Sequence, residues 1–224
     1  MAHPIWPFFD LVVRTPRLDL RLPTDDDLVP LADAAASGIH PPDFMPFAVP
    51  WTDASPEELR RSVMQHMWRT RGGVTVDDWT LTFAVFVGGV PVGIQAVSAK
   101  QFAKLGLVST GSWLAMTHQG LGLGREMRAA VLHFAFEGLG AKRAESGAYE
   151  DNGASNGVSR SLGYRENGDE IRLRRDESVR QVRYAMAREE WAGRRRDDIT
   201  IEALEPCLPL LGADRIGANA QEPG

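Results

Sequence analysis

Two hydrophobic periods alternate along the chain, and the points where one gives way to the other mark its elements. Arg17-Leu-Asp-Leu-Arg-Leu22 carries an apolar residue at every second position, so Leu18, Leu20 and Leu22 share one face and predict a half-buried strand. Pro23 ends it. Thr24 followed by Asp25-Asp26-Asp27 is a cap and an acidic first turn, suited to the positive end of a helix that runs to about Ala36 and stops at Gly38. Ser55-Pro-Glu-Glu58 is a second start signal. Its capping serine, its proline at the first helical position and its glutamate three residues after the cap predict a helix from Pro56 to about Thr70.

The middle of the chain changes to strand chemistry. Trp79 to Val87, the pair Gly88-Gly89 and Val90 to Val97 spell an antiparallel hairpin. A third strand, Gly111-Ser-Trp-Leu-Ala-Met116, leads into the glycine-rich stretch Gln119-Gly-Leu-Gly-Leu-Gly124. Beyond it Met127, Ala130, Val131, Phe134 and Gly138 or Leu139 recur at helical spacing, which predicts an amphipathic helix over 125–139, ended near Gly140. Ala141 to Gly147 is the next strand. Strand, loop, helix and strand make a βαβ crossover whose two strands are parallel neighbours in one sheet. A helix over Ser155–Ser161, stopped by Gly163, and strands near Tyr164–Arg174 and Val179–Ala187 complete the pattern. The expectation is one α/β domain over residues 1–198, a mixed sheet flanked by helices, with no internal repeat. Residues 199–224 read as a tail whose last ten or so are disordered.

Composition narrows the function classes. With 224 residues, 43% hydrophobic and 25% charged, the chain can build a core of normal size without disulfides or a structural metal. The lone Cys207 fits a reducing, cytoplasmic setting. Lys and Arg number 25 against 30 Asp and Glu, a net charge of −5, which argues against a nucleic-acid partner. Arg172, Arg174, Arg175, Arg180 and Arg183, and the run Arg194 to Arg196, have acidic neighbours and read as solvated faces. No apolar stretch is long enough to span a membrane, and the start lacks a basic region followed by an apolar one.

The glycine-rich stretch carries the candidate chemistry. Three glycines at alternate positions before a helix let the backbone curl closely, and the free N–H groups of that helix's first turn attract anions, phosphate above all. The plainer reading is a tight turn and nothing more. A dinucleotide-binding oxidoreductase is one candidate, since Glu145 lies 21 residues after Gly124, where an acid could hold a ribose. However, the third fingerprint glycine would fall on Arg125 or Met127. A triphosphate loop would need a Gly-Lys-Ser/Thr sequence, which does not follow the glycines.

Gln119-Gly-Leu-Gly122-Leu-Gly124 does satisfy the Gln/Arg-x-x-Gly-x-Gly/Ala loop of the GNAT acyltransferase superfamily, and the chain resembles that family. Asn152, Ser155, Gly163 and Tyr164 match a second family segment. Gly111 to Ala115 is similar to a strand of the branch that acetylates ribosomal-protein N-termini (RimL/RimJ-like), and Thr15 to Leu20 to its first strand, so the likeness covers about residues 14–190. The resemblance implies a mostly antiparallel central sheet flanked by helices. It also implies an acyl-CoA-dependent N-acyltransferase without a metal, acting on a small-molecule or peptide amine. By the same resemblance, amides of Gly120, Leu121, Gly122, Leu123, Gly124 and Arg125, with Gln119, hold the coenzyme's diphosphate. Backbone groups of Trp113, Leu114, Ala115 and Met116 meet the pantetheine arm and the thioester carbonyl, and Asn152 contacts a coenzyme amide. Ser155 occupies the place of the acid that protonates the departing thiolate, and Ser159 stands where many members have a tyrosine. For both Asn152 and Ser155 the local alternative is a turn or cap role.

A base is harder to assign, because Ser109 occupies the position of a glutamate frequent in that branch. His118, or water relayed to Glu145, Glu150 or Asp151, is the alternative. Pro41-Pro-Asp-Phe-Met-Pro-Phe-Ala-Val-Pro-Trp51 is too proline-rich for a helix and too apolar for an idle loop, so it either lines an acceptor pocket or covers the core. Its Met-Pro-Phe-x-Val-Pro-Trp portion resembles an actinobacterial subgroup that includes a succinyl-CoA-dependent member, which puts succinyl-CoA beside acetyl-CoA as donor. A non-catalytic coenzyme A binder of the same fold is the rival reading. Leu204, Leu208, Leu210 and Leu211 of the tail suggest a homodimer contact.

Overall fold

A computed structural model describes residues 3–216. Both predicted caps form. The Thr24 N–H donates to Asp27 Oδ2 at 2.7 Å to open α1, Asp25–Ala36. Ser55 and Glu58 exchange N–H···O bonds of 3.1 and 3.4 Å to open α2, Pro56–Gly72. Such a cap stabilises a helix end by about 1 kcal/mol. The apolar stripes of these helices, Leu28, Leu31, Ala32 and Ala35 against Leu59, Val63 and Met67, close over Ala84, Phe86, Ile94 and Trp113 on one face of the sheet.

The strands are β1 Val12–Arg14, β2 Asp19–Arg21, β3 Asp78–Val87, β4 Val90–Lys100, β5 Leu107–Leu114, β6 Arg143–Tyr149, β7 Arg165–Arg174, β8 Glu177–Ala187 and β9 Thr200–Glu202. They form one sheet in the order β7-β8-β6-β5-β4-β3-β2-β1-β9. Every described pairing is antiparallel except β5 with β6, which run parallel for three residue pairs, Leu107 with Arg143 to Ser109 with Glu145. The sheet is therefore two antiparallel halves joined by a short parallel seam. On the face away from α1 and α2 lie α4, Leu123–His133, and α5, Gly153–Leu162, over the larger core. There Phe83 meets Phe134 edge to face at 5.5 Å. Short helices α3, Phe102–Leu105, and α6, Arg188–Ala192, flank the ends.

The departures from expectation have local causes. β1 is three residues long, too short to show a period, and β2 keeps only the centre of the Leu18–Leu22 alternation, although both flanking leucines stay buried. β5 begins four residues early, at Leu107, and yields to a 3₁₀ turn, Met116–His118, after Met116 N–H bonds Gly38 O at 2.9 Å. β6 is displaced two residues forward. α4 starts at Leu123 and ends in a π turn, Phe134–Gly138, closed by Leu139 N–H to Phe134 O at 2.9 Å. That wider turn lets Phe134, Ala135 and Phe136 all bury. Residues 199–216, read as the start of a tail, supply β9 against β1 and put Cys207 and Leu211 in the core, where the Trp79 indole donates to Leu211 O at 3.1 Å. Leu204 and Leu208 are partly buried against that same core, and of the four leucines Leu210 alone is exposed. Residues 217–224, most of the stretch expected to be disordered, lie outside the described residues.

Candidate active site

Past Ser109 and Glu145 the strands β5 and β6 part, and the gap between them opens into a cleft of about 720 Å³. The Thr110 hydroxyl, donating to Glu145 O at 3.3 Å, closes its apex. Ala115 N–H bonds Val92 O of β4 at 2.9 Å, so by strand alternation the backbone groups of Ser112 and Leu114 face the gap. Across it stand Ser146, Gly147 and Ala148 of β6.

The glycine loop forms the upper wall. Gly120 and Gly122 take φ of +72° and +79°, a backbone that a side chain disfavours, and the chain thereby turns sharply into α4. The Cβ missing from Gly120 would meet nothing within 4 Å, and Gly120, Gly122, Gly124 and Arg125 border the cleft. Among the described residues the N–H groups from Gly120 to Arg125 find no acceptor, and the first helical bond runs from Glu126 to Gly122. Six free amides and a helix's positive end at an open cleft form an anion site.

Neighbouring strands brace the loop. Arg17 donates from Nη1 to Leu121 O at 3.0 Å and from Nε to Glu126 Oε2 at 2.7 Å, while the Thr15 hydroxyl reaches Glu126 Oε1 at 2.6 Å. Burial works to raise the Glu126 carboxyl, but the Thr15 hydroxyl and the Arg17 guanidinium and amide outweigh it and hold the group below its ordinary value.

The residues named from sequence divide by location. Trp113, Leu114, Gln119, Asn152 and Ser155 line the cleft with the glycines and Arg125. Leu123 is in the core, Leu121 points outward, and Ala115 and Met116 have given their N–H groups to Val92 and Gly38. Gln119 spends its Nε2 on Leu114 O at 2.8 Å and Ile39 O at 2.7 Å, fastening the end of β5 to the loop after α1. Asn152 is the α5 cap, with Oδ1 accepting from Ser155 N–H at 3.1 Å. Ser155 is consequently no cap. Its half-buried hydroxyl has no protein partner among the described residues and borders the cleft, whereas Ser159 is wholly buried away from it.

Among the candidate bases, Glu145 is held by Arg143 and Glu150 by Arg180, and His118 bonds Thr117 outside the cleft. Asp151 does line the cleft, paired to Arg174 at 2.9 Å. Of the Pro41–Trp51 segment, Phe44 and Phe47 line the cleft while Phe47 and Trp51 pack on the smaller core. The β7–β8 hairpin clasps this segment. Arg174 lies over the Phe44 and Tyr149 rings at 6.0 and 4.9 Å, and Arg175 forks onto Asp53 at 2.8 and 2.9 Å, holding that carboxyl below its usual range.

His40 and Arg128 are among the lining residues that escaped the sequence reading. His40 bonds Pro41 O through Nδ1 at 2.8 Å and Thr52 Oγ1 through Nε2 at 2.7 Å, and nothing periodic marks it. Arg128 stands four residues after Gly124 on α4, and a charge beside the Met127–Val131 stripe was the signal available for it. Among the described residues no cluster of His, Cys, Asp or Glu is placed to hold a metal, and no helix is long and apolar enough to cross a membrane.

A mostly antiparallel sheet that parts at its parallel seam, with an open helix start beside the gap, excludes the parallel, doubly wound sheet of a dinucleotide oxidoreductase. Residues 17–165 match the Acetyltransferase (GNAT) domain, and the chain belongs to that family. Solved structures share the fold. RimL, the ribosomal L7/L12 α-N-protein acetyltransferase in complex with coenzyme A, superposes with a TM-score of 0.60 at 19% identity, over 80% of this chain and 99% of its own. A GCN5-related N-acetyltransferase from Brucella melitensis gives 0.63 at 18%, over 81% and 80% of the two chains. A GNAT-family acetyltransferase from Bacillus anthracis gives 0.58 at 19%, over 80% and 99%.

Proposed function

We propose that this chain transfers an acyl group from a coenzyme A thioester, acetyl or succinyl, to a primary amine that attacks the thioester carbonyl directly. The observation that carries the reading is the meeting of unbonded α4 amides, a parted strand edge and an unpartnered serine hydroxyl in one cleft. Amides of Gly120, Gly122, Gly124 and Arg125 would hold the diphosphate, and the exposed edge of Ser112 and Leu114 the pantetheine arm. When bound, the thioester supplies an acyl carbon activated toward nitrogen. The Ser155 hydroxyl donates its proton to the sulfur as the carbon–sulfur bond breaks, and recovers one from solvent. The proton lost by the amine passes to water, because Asp151, the one carboxylate among the described residues that lines the cleft, is engaged by Arg174. The acceptor reaches the gap past His40, Phe44 and Phe47.

The engaged state of Asp151 and the serine at position 109 favour a second reading, a coenzyme A binder without turnover. Thiol release with acetyl-CoA or succinyl-CoA and a panel of peptide N-termini, lysine and polyamines separates the two. Amine-dependent release above hydrolysis supports the enzyme, and binding with no release across the panel supports the binder.

A further inference from the structure

Arg128 is a buried charged residue of the cleft wall that the proposed chemistry does not use. Its side chain is 4% exposed, yet it borders the gap between β5 and β6. Its partners are all neutral: Ser146 Oγ at 2.9 Å, Ser112 Oγ at 3.2 Å and Gln95 Oε1 at 3.5 Å. Among the described residues no carboxylate lies within 4.0 Å, whereas Arg14, Arg17, Arg21, Arg174 and Arg175 all have acid partners. Buried among neutral partners, the Arg128 guanidinium has no counter-charge among the described residues. Beside it lies the buried Tyr164 hydroxyl. The surroundings thus offer a cation and two serine hydroxyls, and among the described residues no carboxylate is paired with that cation.

We propose that Arg128, with Ser112 and Ser146, forms a carboxylate subsite that selects, as acyl donor, the coenzyme A monothioester of a dicarboxylic acid. The inference rests on the N-acyltransferase reading above. Two features favour the donor over the acceptor as the source of the carboxylate. Arg128 belongs to α4, the helix whose opening amides face the same cleft, and it projects from the face opposite α1 and α2. The hydroxyls it bonds come from the two strands that part, so the fork sits at the gap itself. A planar fork also matches two carboxylate oxygens, which an acetyl group lacks.

Calorimetric titration of the purified chain with coenzyme A, acetyl-CoA and succinyl-CoA tests the subsite without needing the acceptor. The wild type should bind succinyl-CoA about tenfold or more tightly than acetyl-CoA, the scale of a charge-assisted hydrogen bond pair. Arg128→Gln should abolish that preference while keeping coenzyme A affinity within about twofold, and Arg128→Lys should restore part of it. Should Arg128→Gln fail to fold, Ser146→Ala reads the same ratio and should lower it about threefold. A wild-type preference below about threefold, or one that survives in the variant that folds, would mean that the guanidinium only props the strands apart, and the subsite falls. Binding of none of the three ligands would instead overturn the acyltransferase reading itself.

Discussion

At the opening turn of α4 the cleft wall is backbone: amides from Gly120 to Arg125, with side chains removed at alternate positions so that a ligand can approach. On the α1–α2 side it is side chain: His40, Phe44 and Phe47, carried on an irregular segment and clasped by Arg174 and Arg175 from a distant hairpin. The first wall suits a ligand part that never varies, since amides at a helix start recognise charge and shape with no regard to side-chain identity. The second is specific to this chain, because each ring and its support come from a different stretch of sequence.

The contrast can be broken most severely at the first wall. Gly122→Glu adds a side chain at φ +79° and a negative charge among the free amides, and should weaken coenzyme A binding at least about a hundredfold by calorimetry. Ser155→Ala should lower turnover about 10- to 100-fold in thiol-release assays while leaving donor affinity within about twofold, because the hydroxyl is needed only as the sulfur departs. An equal loss of binding would remove the serine from the chemistry. At the second wall, Phe44→Ala should raise the acceptor KM about three- to tenfold with donor affinity unchanged, and a change in donor affinity instead would erase the division between the walls.

Smaller effects sharpen the picture of how the loop is held. Glu126 has a folded pKa below its ordinary value of 4.5, so its bonds to Thr15 and Arg17 stabilise the fold above that pH and are lost as pH falls through the lowered value. The wild type should therefore lose more stability than Glu126→Gln on acidification below about pH 4.5, read from denaturant midpoints. Cys207, with burial pushing its thiol up to about 12, should stay inert to thiol reagents in the native protein and react only on unfolding.

How much could be read in advance follows the same division. The caps at Thr24 and Ser55, the β3–β4 hairpin and the glycine loop are local features, each completed within a short stretch of chain, and they appear where the spacing put them. β1 and β9 were not legible because three residues carry no period; β1 is a strand through its pairing with β2 and β9, and β9 through its pairing with β1. Ser155 could be placed near the cofactor loop, but its freedom depends on Asn152 taking the cap, which a serine at a helix start could equally have done. Arg128 was hidden for a different reason. One arginine among apolar helix positions looks like a surface residue until two strands, close in space and distant in sequence, are seen to part beneath it.

The gap that separates β5 from β6 lies inside the sheet rather than along its rim, and it is bordered by residues from both faces, the α4 start on one and His40, Phe44 and Phe47 on the other. Donor and acceptor need not share an entrance or wait for one another to leave. Initial-rate plots at several fixed concentrations of either partner should therefore intersect rather than run parallel, the signature of both being held at once.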